Sequence, residues 1–324
     1  MSTINRRFCV APMLDWSDRH QRTLMRDMSK HSLVYTEMVT TGALIHGDAT
    51  RYLKFNLEEH PVALQLGGSD PKAMALCAKM AEDAGYDEVN INVGCPSDRV
   101  QNGAFGACLM AEPELVAENV MAMQAAVDIP VTVKNRIAID DMEEEESLRR
   151  FLSIVSGSGC KTFIVHARKA WLKGLSPKQN RDVPPLNYEL VYQMKREFPH
   201  LEIIINGGIK TLDESNEHLA QVDGVMLGRE AYHNPHIMAE VDQRIYDDAS
   251  MGQRSRLDVL ESYMEYMQNQ MSEGVYLKSM SRHLLGLFTG EKGAKAWRRH
   301  ISENAHKEGA GIEVIEKAAS FIQS

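Results

Sequence analysis

Short apolar runs rich in Val and Ile recur along the chain up to about residue 230, with stretches of helical spacing between them. The runs are Phe8–Ala11, Leu33–Thr36, Val62–Leu66, Glu88–Val93, Val131–Val133, Thr162–Val165, Ile203–Ile205 and Gly224–Leu227. Runs of this length and composition read as strands covered on both faces, as parallel strands are. Between them, Pro71–Ala84 and Pro113–Ala126 carry apolar residues at helical intervals, with proline at the first position. Gly85 and Ile129-Pro130 supply the turn signals that close them. The acidic run Glu143–Glu146 is expected to open a helix, where negative charge suits the N-terminal dipole. Eight strand–helix units are the arithmetic of an α/β fold of the (β/α)8 TIM-barrel type.

Beyond about residue 245 the strand signal vanishes and amphipathic segments follow: Leu257–Met271, Leu277–Phe288, Ala294–Asn304 and Ile312–Ile322, punctuated by glycines. The expected organisation is therefore a catalytic TIM barrel over residues 1–245 and a C-terminal helical-bundle domain over 246–324.

The chain has 324 residues and a formal net charge of −9, so a surface that binds nucleic acid everywhere is excluded and any such site must be a local basic patch. Its five cysteines include no C-x-x-C pair, which points away from a disulfide framework or a zinc ribbon and towards a reducing compartment. No apolar stretch approaches the roughly 20 residues needed to span a bilayer. The expectation is a soluble, cytoplasmic protein with no metal and no obligate protein partner.

In a TIM barrel the active site lies at the C-terminal ends of the strands, so the residues that close each apolar run are the informative ones. Here they are Pro12-Met13, Glu37, Gln65, Asn92 with Cys95, Lys134 with Arg136, His166 with Arg168, Asn206-Gly207-Gly208, and Gly228-Arg229. Each alone has a bland explanation as a satisfied structural group; all of them in register do not. The last two offer unshielded backbone N–H groups and a guanidinium where such barrels often bind phosphate, against the alternative of ordinary glycine turns. Lys134 suits the anionic edge of a reduced flavin, or else the amine of a Schiff-base aldolase. Gln65 both donates and accepts, which matches the alternating edge of the same ring system. Cys95 lies in Asn92-Val93-Gly94-Cys95-Pro96-Ser97, and an ordinary thiol, mostly protonated at neutral pH, can act as a general acid. Its alternative is a small buried apolar residue, the reading given to Cys9, Cys77, Cys108 and Cys160.

Taken together, Ala11-Pro12-Met13, Gln65-Leu66-Gly67-Gly68, Asn92-x-Gly94-Cys95-Pro96-Ser97, Val133-Lys134-x-Arg136, His166-Ala167-Arg168, Asn206-Gly207-Gly208-Ile209 and Gly228-Arg229 resemble the motifs of the tRNA-dihydrouridine synthases, in order and spacing. The segment Gly174–Arg181 and the tail Arg282–His300 further resemble the A subfamily, which modifies uridines 20 and 20a of the D loop. The resemblance implies bound FMN, NADPH as reductant and tRNA as substrate. It implies FMN contacts from Pro12, Met13, Leu14, Gln65, Lys134 and His166, and phosphate or ribityl contacts from Asn206, Gly207, Gly208, Gly228 and Arg229. It also implies a uracil contact from Asn92 and a proton from Cys95. Ala138 stands where the family commonly has glycine.

Because a stacked uridine must be extruded to reach a flavin, basic groups are expected to flank the mouth. Arg168, Lys178 and Arg181 on the loop after the sixth strand, and Lys295 and Arg298 on one face of a C-terminal helix, are the candidates. Two rival readings are an FMN barrel acting on a free pyrimidine and a tRNA-binding protein without catalysis. The appended helices speak against the first, and Cys95, Lys134 and His166 against the second.

Overall fold

The computed structural model describes residues 4–97, 104–252 and 254–322. Eight parallel strands, β1 (Phe8–Val10), β2 (Leu33–Thr40), β3 (Val62–Gly67), β4 (Glu88–Val93), β5 (Val131–Arg136), β6 (Thr162–His166), β7 (Glu202–Asn206) and β8 (Gly224–Leu227), close into a barrel in sequence order. Closure is made by β8 on β1, with Phe8, Cys9 and Val10 opposite Val225, Met226 and Leu227. The helix expected at Pro71–Ala84 has those bounds; that at 113–126 runs Pro113–Gln124, and the acidic run opens Glu144–Gly157 with Glu143 as its cap.

The strands differ from the sequence reading in one consistent way: several run on into the polar residues expected to follow them. Lys134 and Arg136 belong to β5, His166 ends β6 and Asn206 ends β7. The reason is strand parity. Alternate residues face the barrel interior. On one parity Cys9, Ala11, Leu33, Tyr35, Ala63, Ile164, Ile204 and Met226 form an interior apolar cluster, apart from the larger core between strands and helices. The polar residues continue those same inward rows towards the mouth. β2 is likewise longer than Leu33–Thr36, with a register shift between Tyr35 and Met38 that places Glu37 inside the strand.

Beside the apolar cluster runs a polar column along the barrel. At the N-terminal end Arg6 Nε donates to Glu88 Oε2 at 2.7 Å and its Nη1 to Glu202 Oε2 at 3.0 Å. Glu88 Oε1 accepts from the hydroxyls of Tyr35 at 2.8 Å and Thr132 at 2.6 Å. Asn90 Nδ2 donates to Thr132 Oγ1 at 2.9 Å, and Asn90 Oδ1 accepts from Gln65 Nε2 at 2.8 Å. Gln65 Oε1 accepts in turn from Asn92 Nδ2 at 2.7 Å. Each side chain of this column thus has a partner, which is the condition for burying it at all.

After Val241–Tyr246 come the helices Arg256–Ser272, Leu277–Ser281, Ala294–Asn304 and Glu313–Ala319. The expected single helix over 277–288 is broken: it ends at Ser281 and passes through a 3-10 turn at Arg282–Leu284. At Gly286 the chain runs so close to the end of the helix Arg229–His233 that a Cβ would lie 2.3 Å from the His233 carbonyl oxygen, so only glycine fits there. These elements seat on the helix Arg19–Met28: Arg254 pairs with Asp27 at 2.6 Å, Arg282 with Asp18 at 2.5 Å, and the Tyr263 hydroxyl donates to the His20 carbonyl at 3.0 Å. Trp297 is fully buried and its indole N–H donates to the Leu284 carbonyl at 3.1 Å. Among the described residues no helix is long and apolar enough to cross a membrane, and no cluster of His, Cys, Asp or Glu is arranged to hold a metal ion.

Candidate active site

The inward row of β4 delivers the thiol. Asn92 ends that row, and its Oδ1 accepts from the backbone N–H groups of Gly94 at 3.1 Å and Cys95 at 3.0 Å, folding the chain into a tight turn. Cys95 is half-buried, with Sγ 3.5 Å from Ser97 Oγ; Cys9, Cys77 and Cys160 are buried and Cys108 half-buried. Asn92, expected to face the uracil, is therefore mostly engaged: its oxygen shapes the cysteine turn and one N–H goes to Gln65. Gln65 too has both ends in the polar column, leaving one N–H and a lone pair for a ring edge.

Across the mouth, Lys134 Nζ donates to Asn206 Oδ1 at 3.0 Å, and Asn206 Nδ2 donates to the Met226 carbonyl at 2.8 Å. Burial, with some repulsion from Arg136, pulls the Lys134 amine down to about 7. The His166 imidazole is pushed well below its ordinary range, first by burial and then by Arg136, Lys134, Arg168 and Arg229, so it is neutral. This concentration of cationic groups around a half-buried lysine suits an anionic ligand.

After β7, Gly207 and Gly208 adopt φ of 122° and 76°. A Cβ on Gly207 would lie 2.8 Å from His166 Cδ2, and one on Gly208 would lie 2.6 Å from Leu186 Cδ1, so both positions require glycine for conformation and for space. Arg229 Nη1 pairs with Asp182 Oδ1 at 2.6 Å and its Nη2 donates to the Arg181 carbonyl at 3.3 Å. Arg168 Nη1 donates to the Pro184 carbonyl, while its buried Nε has no partner among the described residues. Ala138 is fully buried and its φ is not positive, the left-handed conformation falling instead on Asp140 at φ 45°, so this position does not call for the conformational freedom of glycine.

On the other side, Met13 N donates to Ser17 Oγ at 2.8 Å, and Trp16 stacks on Tyr232 with ring centroids 4.4 Å apart, joining the loops after β1 and β8. Asp15 N donates to Glu37 Oε1 at 2.5 Å, so the residue displaced into the β2 bulge fixes the loop that carries Pro12, Met13 and Leu14. Leu14 is 66% exposed and Met13 half-buried. Lys178, Arg181, Lys295 and Arg298 are all exposed.

The profile of the dihydrouridine synthase family matches residues 9–323. The chain belongs to this family. Among dihydrouridine synthases it is 59% identical to the tRNA-dihydrouridine(20/20a) synthase of Vibrio cholerae, over 98% of this chain and 96% of that one. It is 60% identical to the protein of the same name from Vibrio vulnificus, over 98% of this chain and 97% of that one. The Escherichia coli protein of that name is 58% identical, over 98% of this chain and 91% of its own length. Two solved structures share the fold: a 2-naphthoyl-CoA reductase complex, with TM-score 0.57 and 12% identity over 74% of this chain, and an old yellow enzyme homologue from Zymomonas mobilis, with TM-score 0.54 and 13% identity over 74%. The chain spans 51% of the former and 88% of the latter.

The residues fit a flavin mononucleotide on their own geometry. A half-buried lysine without a carboxylate among its described partners, two glycines with no room for a side chain, the Arg229 guanidinium at the end of the next strand and an orphaned buried Arg168 Nε together suit an anionic group. The sequence reading missed Asp182, which orients Arg229, and the part played by Asn180, named there only within Gly174–Arg181 and buried inside the loop after β6. Neither carries a periodic or spacing signal.

Proposed function

We propose that this dihydrouridine synthase reduces uridines 20 and 20a in the D loop of tRNA to 5,6-dihydrouridine, with bound FMN and with NADPH as the reductant, in the cytoplasm. The observation that carries the reading is the Cys95 turn, fixed at the barrel mouth by Asn92 and Arg136 beside Lys134, His166 and Asn206. Uracil C5=C6 is conjugated with the C4 carbonyl, so hydride adds at C6 and a proton must reach C5. When bound, the flavin supplies that hydride. Cys95 supplies the proton, and Asn92 orients both the thiol turn and, with its remaining N–H, the uracil. Lys134 would stabilise the anionic edge of a reduced flavin, and Pro12, Met13, Leu14, Gln65 and His166 would hold its ring. Asn206, Gly207, Gly208, Gly228 and Arg229 would hold its ribityl phosphate end.

The tRNA is gripped through its backbone. Lys178 and Arg181 on the loop after β6, with Arg168 at its base, form one jaw; Lys295 and Arg298 form the other, beside an open hollow of about 690 Å³ that Arg299 also lines. The barrel over 1–245 carries the chemistry and the helices of 246–324 the second jaw. The test is to purify the protein, record flavin absorbance, reduce it with NADPH and add unmodified tRNA. Bound FMN whose reoxidation tRNA accelerates is expected; a protein that neither carries FMN nor takes it up would sink the proposal.

A further inference from the structure

Asn180 is fully buried although its neighbours Lys178, Gln179 and Arg181 are exposed. Its side chain closes the loop on itself: Oδ1 accepts from the Trp171 N–H at 2.7 Å, and Nδ2 donates to the carbonyls of Trp171 at 2.9 Å and Leu175 at 3.2 Å. A loop tied in this way has little freedom in the direction of its own carbonyls. The Asn180 carbonyl accepts from Arg136 Nη1 at 3.1 Å, and the Nε of the same guanidinium donates to the Gly94 carbonyl at 3.1 Å. Gly94 immediately precedes Cys95, whose turn is held from its N–H side by Asn92.

The cysteine turn is thus gripped from both sides, and one grip originates in the loop that carries Lys178 and Arg181. A guanidinium is a rigid planar fork, so its two carbonyl partners constrain each other's position in a way that a flexible ammonium would not. Burial draws the Arg136 guanidinium down to about 10, while Cys95 acts in the opposite sense, which places the two groups in mutual electrostatic reach. The next two residues of the loop hold the other mouth arginines: the Arg181 carbonyl and Asp182 carboxylate take Arg229, and the Asp182 carbonyl takes Arg168 at 3.4 Å.

We propose that Asn180 is a positioning residue for the Cys95 thiol, acting through the Arg136 fork, and that it links the loop meeting the tRNA to the group that delivers the proton. The inference rests on the reading of Cys95 as the proton donor. A small displacement of a reacting group is enough to cost about 10²-fold in rate. Asn180→Ala leaves the Trp171 and Leu175 backbone groups without their partner and releases the carbonyl that holds Arg136.

The test is a double-mutant cycle in the holoenzyme, read by single-turnover reoxidation of reduced flavin at saturating tRNA. Asn180→Ala should slow this step by about 10- to 100-fold, leave NADPH reduction of the flavin unchanged, and add nothing in a Cys95→Ala background. A loss confined to tRNA affinity, or equal factors with and without the thiol, would mean that Asn180 only stabilises its own loop, and the inference falls alone. If Cys95→Ala by itself leaves the rate unchanged, the proton-donor reading falls and takes the inference with it. Should Asn180→Ala fail to accumulate, Arg136→Lys probes the same link from its other end: it keeps the charge and loses the fork, and the same non-additivity with Cys95→Ala is expected.

Discussion

Cys95 is held by its backbone, so its side chain can be removed without disturbing the turn that presents it. Cys95→Ala is expected to retain flavin and its reduction by NADPH while slowing uridine reduction by about 10²–10⁴-fold, the usual contribution of a positioned acid. Single-turnover reoxidation by tRNA measures it, and an unchanged rate removes the thiol from the mechanism. Lys134 makes a different kind of prediction. Its folded pKa of about 7 lies below its ordinary value of 10.5, so between those values the unfolded chain binds more protons than the folded one. The penalty for burying this amine is carried in full below about pH 7 and is relieved as the pH rises towards 10. In flavin-free protein, Lys134→Met should therefore raise the urea midpoint below pH 7 and flatten its rise across that window. A parallel pH dependence in both proteins would show that Lys134 is charged and partnered in the empty site.

At the scale of elements, the strands were legible because their apolar runs are short, β-branched and regularly spaced, and the site was legible because a barrel mouth gathers whatever ends each strand. The hidden part was inside the runs. Glu88, Asn90 and Asn92 alternate with Val89, Ile91 and Val93, so β4 is polar towards the barrel axis and apolar towards the helices. Read linearly, it passes for one more buried strand. The loop after β6 was legible as basic and as a subfamily segment, but not in its contacts: that Asp182 orients Arg229 depends on a partner far away in sequence, and that Asn180 ties the loop shut depends on an irregular backbone with no periodicity to read. Arg229 shows the consequence. With Asp182 fixing its guanidinium at the end of β8, Arg229→Ala should weaken FMN binding by about 10- to 100-fold, the range for a lost hydrogen bond to a charged group. Flavin retention through gel filtration, or a fluorescence titration of flavin-free protein, reads this directly; undiminished affinity would move the phosphate elsewhere.

At the scale of the molecule, the C-terminal helices reach the mouth through charge as well as packing, since Arg282 pairs with Asp18 and also donates to the Asp15 carbonyl of the loop after β1. If Lys295 and Arg298 are the second jaw of the tRNA grip, neutralising both should reduce the log–log salt slope of binding by roughly one unit per lost phosphate contact. NADPH oxidation by the flavin should be unaffected, and dihydrouridine at positions 20 and 20a should be lost or displaced. Normal affinity and slope would leave that helix face merely solvated. The far end of the barrel has its own test. Arg6→Ala strands Glu88, which is fully buried, without its cation, and breaking such a pair typically costs about 3–5 kcal/mol in a denaturant titration.

That ion pair is the foot of the polar column that ends at the cysteine turn. A scan of every substitution in this protein, scored for dihydrouridine formation, should therefore reveal an axial stripe of intolerance running from Arg6 and Glu88 through Thr132, Asn90 and Gln65 to Asn92, rather than a ring confined to the rim. Variants at its foot would lose dihydrouridine formation by undoing the column that carries the cysteine turn, although they sit at the opposite end of the barrel from it.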